Sequence, residues 1–449
     1  MSHKLIKDGA ILFLLALVLR ASYAIFFVEI EYFFSEDQAG YIQLAQQFSE
    51  NGFLETSLVR VSGYPFFISS IYTIFGESLW NVISVQILLD SISCIVIALM
   101  AKLIFGKGFW VAGILSAINL NMIILSSSLL TDSLFLFLFT IFLFSLLKYL
   151  NNDKVVWFFL LVLFISLATL VRPVSYYLLP FLLIGLVGVR LWNRDSFFKV
   201  SALIVIYSTV VIVLLGSVHQ YNYQKYNTMR FASHTGATLL KWVVPAAYQY
   251  SGQGDYQEGL QLSDKKLAFA LKRDQLDSLP LNPYDSSDYQ ASIAKEILFE
   301  FGFFNILKAW VAGSVMNLVA PSVAFAPALR AMDHSSFYET KGDGMVEKLF
   351  NYIKNSSGIL YVLILVIGTI ISTLFILLAT IGMVKMFLQF PPVTVITLIA
   401  LVGYFLVVTG PIIGVKYRLP IEPLLTLFAS YSVLIFLQKN IHVKHYSKN

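Results

Sequence analysis

Charge is what this sequence has least of. Only 13% of its 449 residues are Asp, Glu, Lys or Arg, about half of the roughly 25% usual in a soluble domain. Hydrophobic residues make up 58%, and mean hydropathy is +0.76. So apolar a chain cannot hide its surface from water, so the bilayer is its solvent. Cysteine is nearly absent: the single Cys94 lies inside an apolar run, which excludes an intrachain disulfide. Histidine is sparse too, and His219 and His234 stand alone without metal-ligand spacing. No internal repeat, low-complexity tract or proline-rich linker breaks the chain. The excess of cations is small, 31 Lys and Arg against 26 Asp and Glu, and no nucleic acid is expected as a partner.

What the chain does have is long apolar runs, each near the 20 residues that cross hydrocarbon. They fall at roughly 9–28, 79–104, 109–126, 129–147, 155–171, 174–191, 200–218, 357–384, 393–411 and 419–438. The first reads as an anchor, because its apolar core is too long for a signal peptide and no small-residue cleavage site follows. Lys4 and Lys7, Lys102 and Lys107, Lys148 and Lys154, and Arg190, Arg194 and Lys199 all fall on one side if each run crosses once. Basic flanks mark the cytoplasm. The fold class expected is an all-α polytopic bundle of ten spans with both termini inside. The stretch 303–321 reads as an interfacial helix, since Lys308 and Asn317 suit hydrocarbon poorly; if it crosses, there are eleven.

Three parts follow: an N-terminal membrane module at 1–240, whose first outer loop is 29–78; an outer-face region at 241–356; and C-terminal spans at 357–449. In the first loop, Ser35-Glu36-Asp37-Gln38 forms a capping box and Asn51-Gly52 a stop. Between them Tyr41, Leu44, Ala45 and Phe48 share one face of an amphipathic surface helix. Asp90, with Gln86, lies deep in the second run and reads as interhelical packing.

Candidate chemistry gathers at the outer boundaries. Asp37 sits in the first turn of that surface helix, with Glu36 as the fallback acid. Asp132 is one turn into the fourth run. Arg60, Arg172, Lys416 and Arg418 are cations where the positive-inside rule disfavours them. Either they bind an anion or they anchor to headgroups. Tyr41 and Tyr64 suit stacking on a sugar or anchoring at the interface.

Several segments together carry a resemblance. They are Asp37-Gln38-Ala39-Gly40-Tyr41, Arg60-Val61-Ser62-Gly63-Tyr64-Pro65-Phe66, Leu129-Leu130-Thr131-Asp132-Ser133-Leu134-Phe135, Leu170-Val171-Arg172-Pro173, and Tyr417-Arg418-Leu419-Pro420-Ile421-Glu422-Pro423. In order and placement they resemble the GT-C class of polyprenyl-phosphate-sugar-dependent glycosyltransferases, in the branch of protein O-mannosyltransferases and lipid A aminoarabinose transferases. Two departures stand out: the second acid is Asp132 rather than Glu, and Arg60 stands without a neighbouring acid and Lys. The resemblance implies an inverting enzyme. Asp37, Asp132 or Glu36 would serve as acid–base residues, and Arg60, Tyr64, Arg172, Lys416 and Arg418 would hold donor phosphate or sugar. It implies a polyprenyl-phosphate-linked sugar as donor and a glycan, lipid or protein as acceptor. The setting would be a bacterial inner (plasma) membrane, with the site facing the periplasm or exterior. No cofactor is required and no metal site is assigned, although two converging carboxylates have the chemistry for a divalent cation. The competing reading is a transporter or flippase of lipid-linked saccharides, which would place its charges at the midplane and repeat its halves.

Overall fold

The computed structural model describes residues 3–29, 31, 36–51, 61–332, 340–342, 345–355 and 359–437. Among them the regular structure is helical. α1 (His3–Phe27), α2 (Glu36–Asn51), α3 (Gly63–Phe75) and α4 (Leu79–Phe105) come first, then α5 (Phe109–Ala117), α6 (Leu120–Ser126), α7 (Thr131–Asn152), α8 (Val155–Val171), α9 (Leu178–Trp192) and α10 (Phe197–Tyr226). The middle region holds α11 (Thr235–Thr238), α12 (Val244–Tyr250), α13 (Tyr256–Arg273), α14 (Pro283–Phe301), α15 (Phe303–Val319), α16 (Pro327–Arg330) and α17 (Met345–Asn355). α18 (Ile359–Gln389), α19 (Pro392–Thr409) and α20 (Glu422–Leu437) close the chain.

Every one of the ten apolar runs forms helix. Among the described residues, eight helices are long and apolar enough to cross a membrane singly. The run 109–126 is broken instead, α5 and α6 meeting at 53°, and α8 is a shorter apolar helix. The stretch expected as interfacial is α15, which leaves α14 at 105°. An angle that wide rules out one straight span through both. α15 lies across the end of α19: the Trp310 indole donates to the Val407 carbonyl (3.1 Å) and the Asn317 amide to that of Ile412 (2.8 Å). The protein is an integral, multi-pass membrane protein.

Burial sorts the helices. α7 and the last span are largely enclosed, whereas α1, α10, α18 and α19 leave most of their residues uncovered by the rest of the protein. The first two form the packed centre, and the others present their side chains to lipid. α18 and α20 approach backbone to backbone at Gly382, where an added Cβ would lie 1.8 Å from the Phe428 carbonyl oxygen. Small residues at such crossings are how membrane helices gain packing that lipid cannot supply. Ser432 hydroxyl adds a bond to the Leu378 carbonyl (2.6 Å).

The ends of the bundle differ. Lys102, Lys107, Lys148, Lys154, Arg190, Arg194, Lys199 and Lys385 lie at one end, near the turns that join α4–α5, α7–α8, α9–α10 and α18–α19. The other end carries the two long connections, from α1 to α4 and from α10 to α18, and is called the loop end below.

The break between α5 and α6 has a buried ionic cause. Arg20, within the first span, is fully buried. Its Nε donates to Asp90 Oδ1 (2.6 Å), its Nη1 to the Ala117 carbonyl (3.2 Å) and its Nη2 to that of Ser116 (3.3 Å) and to Cys94 Sγ (3.2 Å). Those carbonyls end α5, where the ladder stops, and Arg20 satisfies them. On the far side of the break, Asn119 caps α6 by accepting from the amides of Asn121 (3.0 Å) and Met122 (3.2 Å). Asp90 is therefore packing chemistry, as its depth suggests. Replacing Asp90 with Ala leaves a buried guanidinium unpaired and should cost about 3–5 kcal/mol, while Arg20→Met with Asp90→Leu should recover much of the loss. Thermal melting in detergent checks this; equal melting of the single and double variants would deny the pair its role.

Candidate functional site

Three contacts gather the loop ends of separate helices. Gln38, buried on α2, accepts the Leu129 amide hydrogen at Oε1 (2.9 Å), which seats the first turn of α2 on the loop before α7. Gly63 begins α3 so close to α8 that an added Cβ would lie 2.4 Å from the Leu170 carbonyl oxygen. Asn121 on α6 donates to the Val415 carbonyl (3.1 Å) in the loop between α19 and α20. These contacts place at one end the segments bearing Asp37, Asp132, Arg172 and Lys416.

Asp37 is half-exposed in the first turn of α2. Its Oδ2 lies 4.0 Å from Lys416 Nζ, with the two side chains 52% and 25% exposed. That separation is an ion pair without a direct hydrogen bond. Both groups can therefore exchange this contact for a substrate. Asp132, on the first turn of α7, is buried and paired with Arg172 Nη1. Arg172 caps the end of α8, keeps a little exposure and lies over the Phe135 ring, 5.7 Å from its centroid. The two expected carboxylates thus divide their work: Asp37 faces an accessible ammonium, and Asp132 holds a guanidinium in place.

Arg418 departs from expectation. It was expected to hold an anionic substrate, yet it is buried and its donors go to the protein. Nε donates to Glu422 Oε1 (2.7 Å), Nη1 to the carbonyls of Leu318 (2.6 Å) and Ala320 (3.1 Å), and Nη2 to the Ser322 hydroxyl (2.9 Å). It braces the end of α15 against α20. Glu422, fully buried, accepts in addition from Asn119 Nδ2 (2.9 Å) and Asn121 Nδ2 (3.0 Å). Lys416, two residues before Arg418, is left as the accessible cation of that turn.

Tyr64 also departs. It is fully buried, edge-on to Tyr41 (centroids 5.1 Å), and its hydroxyl donates to Gln86 Oε1 (2.6 Å). Gln86 in turn donates to the carbonyls of Ser126 (3.1 Å) and Ser128 (2.8 Å). Burial first, then the fields of Tyr41 and Asp132, pushes the phenol well above its ordinary pKa. It stays protonated as a donor and has no face open to a sugar. Tyr41, only partly buried, keeps that option. Arg60 and the Glu36 side chain lie outside the described residues. Among those described, no three His, Cys, Asp or Glu side chains come together as for a metal.

Arg20, Asn119 and Asn121 belong to no motif, and Glu422 lies within one without being a candidate. Polar amides and a cation within apolar runs were the signal available. From the middle region Tyr256 comes beside Tyr417; burial and that neighbour push its phenol up to about 12.

Residues 62–215 match the family model described as dolichyl-phosphate-mannose-protein mannosyltransferase. Among solved structures, the archaeal oligosaccharyltransferase AglB from Archaeoglobus fulgidus, in complex with an inhibitory peptide and a dolichol-phosphate, superposes over 97% of this chain at TM-score 0.55 and 11% identity. The chain has the GT-C fold. It spans about half of that oligosaccharyltransferase, 51%. Two crystal structures of ArnT from Cupriavidus metallidurans are also similar. The apo form gives TM-score 0.37 and 12% identity over 89% of this chain and 72% of its own, and the form bound to undecaprenyl phosphate 0.36 and 11% over 96% and 77%. No curated protein matches the chain. Within the GT-C fold, the family match takes in Tyr64, Asp132 and Arg172, while Asp37, Lys416 and Arg418 lie beyond it.

The two neighbouring cations should separate in a melting experiment. Arg418→Ala, which strands the buried Glu422, should lose about 3–5 kcal/mol. Lys416→Ala, which removes only a loose, partly solvated ion pair, should lose no more than about 1 kcal/mol. If Lys416→Ala melts as early as Arg418→Ala, the division between brace and accessible cation fails.

Proposed function

We propose that this protein is a membrane glycosyltransferase that moves a hexose or pentose from a polyprenyl-phosphate donor to a hydroxyl of a glycan, lipid or protein acceptor, with inversion at the anomeric carbon. The observation that carries the reading is the facing pair of half-exposed Asp37 and partly exposed Lys416 at the loop end of a GT-C fold, the same end that holds the Asp132–Arg172 pair. The donor phosphate exchanges Asp37 for itself at the Lys416 ammonium. The Asp37 carboxylate, at the same rim, accepts the acceptor's proton as its oxygen attacks. Lys416, with Arg172 held by Asp132, balances the charge that grows on the departing phosphate. Phosphate is already a competent leaving group, so placement and charge balance carry most of the rate.

The basic end of the bundle, by the positive-inside rule, faces the cytoplasm. The loop end then faces the periplasm or exterior of a bacterial inner membrane. A transporter of lipid-linked saccharides would keep its membrane charges reachable; Arg20 and Asp90 are instead enclosed at 0% and 1% exposure.

The reading is tested with purified protein in proteoliposomes and a panel of polyprenyl-phosphate sugars. Asp37→Asn should lower transfer by about 100-fold or more, the scale of a lost general base, while melting as the parent does. Near-parental transfer would move the base to Glu36 or Asp132. Lys416→Ala should raise the donor KM more than it lowers kcat. Transfer should also survive a chelator. Loss on chelation, restored by a divalent ion, would put a cation between the carboxylates.

A further inference from the structure

Helix α17 is folded inside out for a helix in water. Its apolar residues face outward: Val346 is 82% exposed, Phe350 65% and Ile353 45%, with Leu349 on the same stripe. These positions follow the i, i+3, i+4, i+7 spacing of a single face. The opposite face, which is buried, carries Lys348 and Tyr352. Lys348 Nζ donates to Gln249 Oε1 on α12 (2.8 Å), and the Tyr352 and Tyr361 hydroxyls bond to each other, tying α17 to the beginning of the α18 span.

Burying an ammonium is costly, and here burial holds its pKa down to about 8. A lysine on a solvated surface helix would avoid that cost by a small roll of the helix. Both the outward apolar stripe and the inward lysine make sense if the medium outside is worse for charge than the protein interior. Residues 356–358 alone separate α17 from a helix that crosses the membrane. α15 has a similar exposed stripe, Phe303, Leu307, Val311 and Val315, at intervals of one turn.

We propose that α17 lies along the bilayer surface at the loop end, with Val346, Leu349, Phe350 and Ile353 seated among lipid acyl chains and headgroups. Through Lys348 and Gln249 it fastens α12, and with it the middle region, to the leaflet from which the site is reached. This inference stands independently of the transfer chemistry.

Site-directed spin labelling tests it. The one native cysteine, Cys94, is fully buried, so the parent protein is its own unlabelled control. Single cysteines replace Val346, Phe350, Ile353 and, as the aqueous reference, the exposed Lys354. Each variant is required to melt as the parent does. In proteoliposomes of phosphatidylethanolamine and phosphatidylglycerol, labels at the first three positions should collide readily with oxygen and be shielded from a water-soluble nickel chelate. The label at 354 should show the reverse, with the ratio of the two accessibilities several-fold different. Ready access of the nickel chelate at all four positions would overturn the proposal, because the face would then be in water. Shielding from both reagents, with spin–spin broadening that grows with protein-to-lipid ratio, would overturn it in favour of a second copy of the chain.

Discussion

The loop end depends on one buried carboxylate. Glu422 is the point at which α6, α20 and the end of α15 meet: two asparagine amides reach it from α6 and its cap, and a guanidinium from the turn before α20 holds the α15 end. A carboxylate in this position would be intolerable alone, and three donors make it the centre of the network. Because Asn121 binds both Glu422 and the Val415 carbonyl, the same network fixes the turn that presents Lys416. The accessible charges can stay soft and exchangeable since the inaccessible ones are rigid. Two cations two residues apart in sequence thus serve opposite needs, one desolvated and committed, the other at the rim.

The membrane architecture was plain in the sequence, because hydrocarbon imposes a length and a composition that soluble packing does not. All ten apolar runs became helix, and the cations flanking them fell at one end. The surface helix of the first loop begins at Glu36 and ends at Asn51, as its capping and stop residues required. Its buried face was read one step away from where it lies. Gln38, Ile42 and Ala45 are enclosed, because a polar Gln satisfying a backbone amide buries as well as a leucine does.

What could not be read were partnerships. Arg418 and Lys416 look alike in a sequence, and it is the partners of Arg418, Glu422, Ser322 and the carbonyls of Leu318 and Ala320, that distinguish them. Tyr64 sits in a motif that suggests a sugar platform, yet Gln86 holds its hydroxyl in the interior. The kink after Ala117 has no proline or glycine to announce it, since its cause, Arg20, lies 97 residues earlier. Hydropathy reports how much of a helix is apolar and is silent on which polar atoms meet. α17 shows the converse: its pattern is an ordinary amphipathic one, and only the structure shows which side is turned out.

The grip of Arg418 on the middle region has a consequence for what that region must supply. Two of its bonds go to main-chain carbonyls, which every residue supplies, and only the bond to Ser322 depends on a side chain. A socket that recognises backbone shape places little demand on the letters of the segment it holds. At this joint, then, the demand falls on the course of the backbone at residues 318–320, while Trp310 and Asn317 supply the side-chain-specific contacts to the same loop end. The guanidinium thus reads the shape of the chain it holds more than its lettering.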